Sequence, residues 1–494
     1  MSRPLLYTLT SSLHGEMTPD PRQEPFIREI EAALGAAFDC RGDVFSGYGA
    51  GAPELIYIRT GGTEGLFLEK VAPHLVRALA PDRDSGVMAP GQKPVRLLAS
   101  GQSNSLAAAM EILSWLRQRG IPGEILHGSP AAIAERIKAF DSGMGSRVAA
   151  RDDRGNRLPG AEKGDFVPGN RKNGLPGAEK GDFVPGGRIL AGKRFGVIGR
   201  PSDWLISSGV DYTAAKEHLG AELIDIPIEE LVAEAQKDQG TGAQQEFVAE
   251  IPDPGAEKGQ KRCDPQARTL GLDQKTPFSV PANGPKMPAI DLKPLNSPKY
   301  GRKIDADDWH GALAIYDALK ALVARYQLDG LTLRCFDLLT ALHNTGCLAL
   351  AMLNAEGITA TCEGDIPAML SMAVARALTG RSSFQVNLSR IDGDRLLFAH
   401  CTVPLDIVRD YCYDTHFESG IGVAIHGELP PGPVTLLKIS PDFRRIFRRE
   451  ATLVANPYDD CLCRTQVVVE APGAAAYFLQ EPIGNHHIIV PGKL

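Results

Sequence analysis

Apolar and polar positions along this chain follow two alternating rhythms. Compact apolar runs appear at LIYIRTGG (55–62), VRLLASG (95–101) and GEILHG (123–128). Between them, apolar residues recur at helical spacing in FIREIEAALGAAF (26–38) and SLAAAMEILSWLRQRG (105–120). The first kind predicts strands and the second helices. Their alternation predicts an open α/β unit. The rhythm returns at RILAGKRFGVIGRPSDWLISSGVD (188–211) and AAKEHLGAELIDIPIEELV (214–232). The stretch DWHGALAIYDALKALVARY (308–326) predicts a helix by its apolar spacing. It leads into LDGLTLRCF (328–336), a buried strand, and a helix up to about Glu356. GITATCEG (357–364) then predicts a second strand, and IPAMLSMAVARALTG (366–380) a second helix. Strand, helix, strand, helix predicts a right-handed parallel crossover whose strands end at one sheet edge, where ligand sites form. VTLLKIS, ATLVA and CRTQVVVE make the remainder strand-rich.

Two stretches break the rhythm. LPGAEKGDFVPG occurs at 158–169 and again at 175–186, with a shorter echo, PGAEKG, at 254–259. The copies carry only Leu, Phe and Val as apolar residues and predict a solvated insertion. Residues 238–303 are again rich in Pro, Gly and Lys. The organisation that follows is an α/β chain with two open α/β N-terminal domains and a mixed α+β C-terminal domain. Its parts are 1–145, a repeat insertion at 146–188, a second α/β domain at 189–327 holding the excursion 238–303, and a C-terminal domain at 328–494, which carries the candidate chemistry described below.

At 494 residues the length suits about three domains. Net charge is −7, and no basic stripe marks a nucleic-acid partner. No signal-peptide core and no run of about 18 apolar residues occurs, so the expectation is a soluble cytoplasmic protein without membrane contact. The nine cysteines include no CxxC pair, which argues against a structural zinc site.

The chemistry concentrates downstream. Asp337, Glu363 and Asp365 sit at the two strand-to-helix corners, with Asp337 and Asp365 spaced 28 residues apart, about one β-α repeat. Asp365 before IPAML, with Pro367 in the first turn, also reads as a helix N-cap. Glu363 and Asp365 share a strand face, and their repulsion calls for a cation or a proton. GNHHIIVPG (484–492) adds His486 and His487, which point to opposite faces if extended, so one ligates. His400 and His416 can line the pocket, and His416 with Glu418 can form a proton-transfer pair. Arg390, Arg464 and Lys438 are possible substrate partners. The loops TGGTEG (60–65) and GQSNSLAAAMEI (101–112) open helices and suit an anion or a polyol. GxGxxG, a P-loop and GxSxG are all absent. Carboxylates and histidine at one sheet edge point to a divalent-metal enzyme.

RCFDLL (334–339), CEGDIPAMLSM (362–372), THFESGIG (415–422), CRTQV (463–467) and GNHHIIVPG resemble the L-fucose isomerase family, which is related to L-arabinose isomerases. IRTGGTEG, SGQSNSLAAAMEIL and VIGRPSDWLISS are similar to its sugar-isomerase-like branch. The resemblance implies a homo-oligomer, trimer or hexamer, with the active site at subunit contacts. It implies Mn²⁺, or another divalent cation such as Mg²⁺ or Co²⁺, held by two carboxylates and a histidine. Carried over by motif, these are Asp365, with Glu363 as its partner, Asp337, and His486 or His487. Asp337 departs from the family's usual Glu and is one methylene shorter. The implied activity is aldose–ketose isomerisation of an open-chain sugar through a metal-chelated enediol, with Asp337 and Asp365 as ligands and acid/base groups and no nicotinamide. An epimerase or aldolase-like enzyme using the same enediolate, or a non-catalytic sugar-binding protein, are the alternatives.

Overall fold

The two rhythms fold into three sheets and a two-stranded ribbon. The computed structural model describes residues 3–11, 20–49, 54–79, 94–141, 178–179, 188–238 and 304–494. The first sheet holds five parallel strands: β1 (Leu5–Leu9), β2 (Asp39–Gly42), β3 (Glu54–Ile58), β4 (Val95–Ala99) and β5 (Gly123–Leu126). Their order is β2-β1-β3-β4-β5. A two-residue strand, β6 (Ala178–Glu179), lies inside the second copy of the repeat. The rest of the repeat insertion, and nearly all of the 238–303 excursion, lie outside the described residues.

The second sheet contains β7 (Arg194–Ile198), β8 (Glu222–Ile226), β9 (Gly330–Leu333) and β10 (Thr359–Cys362), all parallel, in the order β10-β9-β7-β8. The crossover drawn as the start of the 328–494 domain therefore extends the sheet begun by residues 194–226. The reason is burial. GLTL of β9 and TATC of β10 are buried at every position. Parallel strands apolar on both faces need helices above and below, and joining β7 and β8 supplies them. Helix Ala306–Tyr326 leads into β9, with Asp305 capping it by accepting from Asp307 N at 2.8 Å.

The third sheet is antiparallel and barrel-like. Its strands are β11 (Phe384–Asp392), β12 (Arg395–His400), β15 (Gly432–Ile439), β16 (Ile446–Ala455), β17 (Thr465–Glu470) and β18 (His487–Pro491). The order is β15-β18-β11-β12-β17-β16, and β16 pairs back onto β15, closing the circuit. β6 pairs at the β16 edge. The ribbon is β13 (Asp410–Asp414) with β14 (Ala424–Glu428).

Helix Ser105–Gln118 joins the first sheet to the barrel. Residues 105–116 are buried on every side, as expected of a helix with no polar face. Leu106, Met110 and Leu113 share one core with Ile56 and Leu97 of the first sheet and Phe384 and Phe398 of the barrel. No described helix is long and apolar enough to cross a membrane.

The turn after β10 is tight. Glu363 (φ 65) and Gly364 (φ 69) are both left-handed. A Cβ on Gly364 would lie 2.5 Å from Arg200 O and 2.8 Å from Pro201 Cα. Both are backbone atoms that cannot swing aside. Gly364→Ala is expected to destabilise the fold by about 3 kcal/mol, combining left-handed strain with overpacking. Urea unfolding measures this; a loss under about 0.5 kcal/mol, the range of an ordinary surface change, would refute the crowding.

Candidate metal centre

The C-terminal ends of parallel strands from both α/β sheets meet the barrel at one cavity, with an empty volume of about 350 Å³. The loop after β3 brings Gly61, Gly62 and Glu64, and the loop after β4 brings Asn104. Trp204 follows β7, Phe336 follows β9 and Glu363 follows β10. Asn387 of β11, Glu418 and Asn485 complete the lining. The crossing edge of a parallel sheet is where ligand crevices form in such folds.

Glu363 is the hub. Its Oε2 accepts from Trp204 Nε1 at 2.6 Å, and Ser202 N bonds its main-chain carbonyl at 3.0 Å. Its Oε1 lies 3.2 Å from His486 Nε2 and 3.8 Å from His400 Nε2. One donor atom from each of Glu363, His400 and His486 falls within 4.8 Å of the others, and all three residues are buried. Trp204 packs edge-on against Phe336, with ring centroids 4.8 Å apart, walling the carboxylate off from water.

Behind this group stands Asp365, which is fully buried. Its Oδ1 caps the helix Ile366–Thr379 by accepting from Ala368 N at 2.7 Å. Its Oδ2 takes His486 Nδ1 at 2.8 Å, with the Lys438 ammonium 3.6 Å away. Both oxygens are thus committed. Asp365 orients His486 from behind and does not face the cavity group. Burial alone would raise the Asp365 carboxyl, but Lys438 and His486 hold it below its usual range. Burial likewise opposes ionisation of Glu363, and His486 and His400 overcome it, holding that carboxyl well below normal. Burial would lower His486, yet the two facing carboxylates raise it to about 10.

The donor set fits a divalent cation. His400 Nδ1 accepts from Cys401 N at 3.0 Å and contacts Thr402 Oγ1 at 3.1 Å. Its buried Nε2 has no hydrogen-bond partner among the described residues. A carboxylate and two imidazoles, one backed by a second carboxylate, make a mixed oxygen and nitrogen shell of the kind Mn²⁺ and its neighbours accept.

The other expected residues lie elsewhere. His487 points to the far face of β18, as adjacent residues on a strand must. It bonds Tyr477 OH at 3.0 Å and Asn485 O at 2.8 Å, and burial lowers it to about 3. Asp337 sits at the same sheet edge but turns outward. Arg334 Nε holds it at 2.9 and 3.0 Å, and its side chain is 39% exposed. The structure therefore does not bring Asp337 and Asp365 together around one cation. Arg334, which also bonds Pro201 O and Asp203, claims Asp337 first. Glu418 lines the cavity and accepts from Asn104 Nδ2 at 2.8 Å. His416 contacts Ser419 Oγ at 3.0 Å and stacks edge-on against Phe336. Arg390 bonds Gly101 O at 2.9 Å and pairs with Asp459, and Arg464 Nε donates to Thr415 O at 2.8 Å.

Sequence reasoning passed over Glu64, Trp204, Asn387, Asn485 and Glu111. Glu64 and Trp204 lie inside strings already singled out, TGGTEG and VIGRPSDWLISS. A lone Trp after a strand was the available signal for Trp204; for Glu64 the sequence held none.

Asp365→Asn separates capping from orientation. Asn caps nearly as well as Asp, so the helix start is kept, while the loss of the charge beside buried Lys438 and His486 costs about 3 kcal/mol. With the single Asn oxygen on the cap, its NH2 faces the His486 Nδ1–H and cannot hold the ring, so divalent-metal affinity is expected to fall about 10–100-fold, the usual cost of losing such a backing carboxylate. Titration calorimetry with Mn²⁺ reads this; unchanged affinity would remove Asp365 from the arrangement.

No family model matches the chain. Sulfoquinovose isomerases of Priestia aryabhattai and Priestia megaterium are each 24% identical to it over 188 residues. That stretch is 36% of this chain and 42% of theirs, so the similarity spans less than half the length of those relatives. It points to a sugar isomerase family.

Proposed function

We propose that the protein is a divalent-metal-dependent aldose–ketose isomerase acting on an open-chain sugar. The observation that carries this reading is the buried Glu363–His400–His486 group, whose Glu363 also lines an amide- and acid-lined cavity. The partial similarity to sulfoquinovose isomerases supports the same class.

Glu363, His400 and His486 would hold the cation, which when bound polarises neighbouring sugar oxygens. Asp365 fixes the His486 ring, so that Nδ1 keeps its proton and Nε2 faces Glu363. Lys438 keeps Asp365 ionised. Trp204 and Phe336 keep water from the Glu363 carboxylate. Asn104, Asn387 and Asn485 present amide groups for hydroxyl hydrogen bonds.

Purified protein loaded with Mn²⁺ is tested on a panel of pentoses, hexoses, deoxyhexoses and sulfoquinovose, with products read by NMR. The reading expects one aldose to reach equilibrium with its 2-ketose, and chelation to stop the reaction. Turnover that survives exhaustive chelation, or conversion of no sugar with metal bound, would overturn it. Formation of an epimer or of cleavage products would move the chemistry to another enediolate reaction.

A further inference from the structure

The cavity holds a carboxyl that the metal group does not use. Glu64 opens the helix Glu64–Lys70 just after β3 and is only 1% exposed. Acids in a first helical turn usually stay at the surface, where the helix dipole and water both favour them. Glu64 instead turns inward onto the cavity that Glu363 also lines. Its Oε2 has no hydrogen-bond partner among the described residues.

Three more buried acceptors line the same cavity in the same condition. These are Asn104 Oδ1, Asn387 Oδ1 and Asn485 Oδ1, also without partners among the described residues. The Asn104 amide is not free to exchange its ends, because its Nδ2 donates to Glu418. Four buried, unpartnered oxygens belong to residues that line this one cavity, and a ligand rich in O–H donors would satisfy them. Main-chain N–H groups of Thr63 and Glu64 reach the Glu64 carboxyl, but its Oε2 finds no donor among the described residues, and burial makes its ionised form costly. Burial, with the negative charges of Glu111 and Glu363 nearby, raises the Glu64 carboxyl well above its usual range. A carboxyl so placed is suited both to give a proton and to take one back.

We infer that Glu64 is a catalytic acid/base residue that carries the hydroxyl proton between the two reacting oxygens of the sugar. This rests on the isomerase reading above. Isomerisation needs two transfers: hydrogen from C2 to C1, and a proton from O2 to O1. Glu64 performs the second. Its proton goes to O1 as the C2–H bond breaks, that electron pair forms C1=C2, and the C1=O1 pair becomes the O1–H bond. The C2 proton goes to a carboxylate base, for which Glu418 lines the same cavity. The base then returns that proton to C1 while the Glu64 carboxylate takes the proton from O2, leaving C2=O2. Both acids end as they began, and no oxidant or reductant is consumed. A buried acid next to an ionised group is the arrangement by which enzymes separate the roles of two carboxyls.

The test compares Glu64→Gln and Glu64→Asp with wild type, all loaded with Mn²⁺. Gln keeps the shape and the neutral charge but has no proton to exchange. Glu64→Gln is expected to keep its metal content and melting temperature, hold KM within about threefold, and lose about 10²–10⁴-fold in kcat. Glu64→Asp should recover part of the loss, with a displaced pH profile. Infrared difference spectra supply a readout without turnover. A neutral-carboxyl band present at pH 7 should vanish in Glu64→Gln and shift when xylitol binds the wild type. A kcat in Glu64→Gln within threefold of wild type, or no neutral-carboxyl band assignable to Glu64, would overturn the assignment and leave the isomerase reading standing. A wild type that binds Mn²⁺ and converts no sugar would overturn both.

Discussion

Protein carrying Glu363→Gln is expected to bind no Mn²⁺ at the candidate centre and to show background turnover. The change removes the one carboxylate that faces both histidines, while its amide oxygen still accepts from Trp204. The fold should pay as well, because His486 is fully buried and sits between two acids. Removing one partner of a buried charged pair costs about 3–5 kcal/mol, and the surviving Asp365 bond keeps the loss near the lower figure. Metal analysis and urea unfolding of metal-free protein read the two effects separately. A variant that retains a full equivalent of metal would show that the cation, if any, binds elsewhere.

The second large effect belongs to a residue that touches neither sugar nor metal. Glu111 sits mid-helix in Ser105–Gln118 and is completely buried. Its Oε1 accepts from Ser207 N at 2.7 Å and Ser208 Oγ at 3.1 Å, and its Oε2 accepts from Asn485 N at 2.8 Å. One carboxylate thus pins the first α/β unit, the loop beyond Trp204 and the segment leading into His486. Glu111→Ala strands two buried main-chain N–H groups, each costing about 1–3 kcal/mol. A total loss of about 4 kcal/mol is expected, with weakened Mn²⁺ binding because Asn485 immediately precedes His486. Glu111→Gln should cost less than half of that, since the amide still accepts from one side. Equal stability of Glu111→Ala and wild type in urea would show that the three segments are held by their apolar contacts alone.

What the sequence disclosed, and what it withheld, follows from the range of the forces involved. Local periodicity set the strands around Leu55, Val95, Leu331 and Ala360 and the helices at Ser105, Ala306 and Ile366, because these are decided by neighbours a few positions away. The Asp365 cap was legible for the same reason. The partner of β9 was not: it pairs with β7, more than a hundred residues earlier, and only shared burial on both faces selects that pairing. The histidine pair showed that one ring must turn away from the other, but not which. That depends on Tyr477 and Asp365, which receive opposite faces of the strand. Asp337 and Asp365 look equivalent in spacing, and Arg334, three residues before Asp337, separates them. Glu64 was hidden because an acid opening a helix is ordinary in sequence, and only burial makes it unusual.

The order of synthesis gives β18 a particular standing. It is inserted between β15 and β11, so the barrel-like sheet stays open until residues 487–491 have left the ribosome. The same short segment carries His486 into place. A nascent chain therefore has Glu363 and His400 well before His486, and the proposed cation site lacks a donor until β18 is in place. Closure of the barrel and completion of the proposed centre are thus one event, and until then the sheet keeps an unpaired edge.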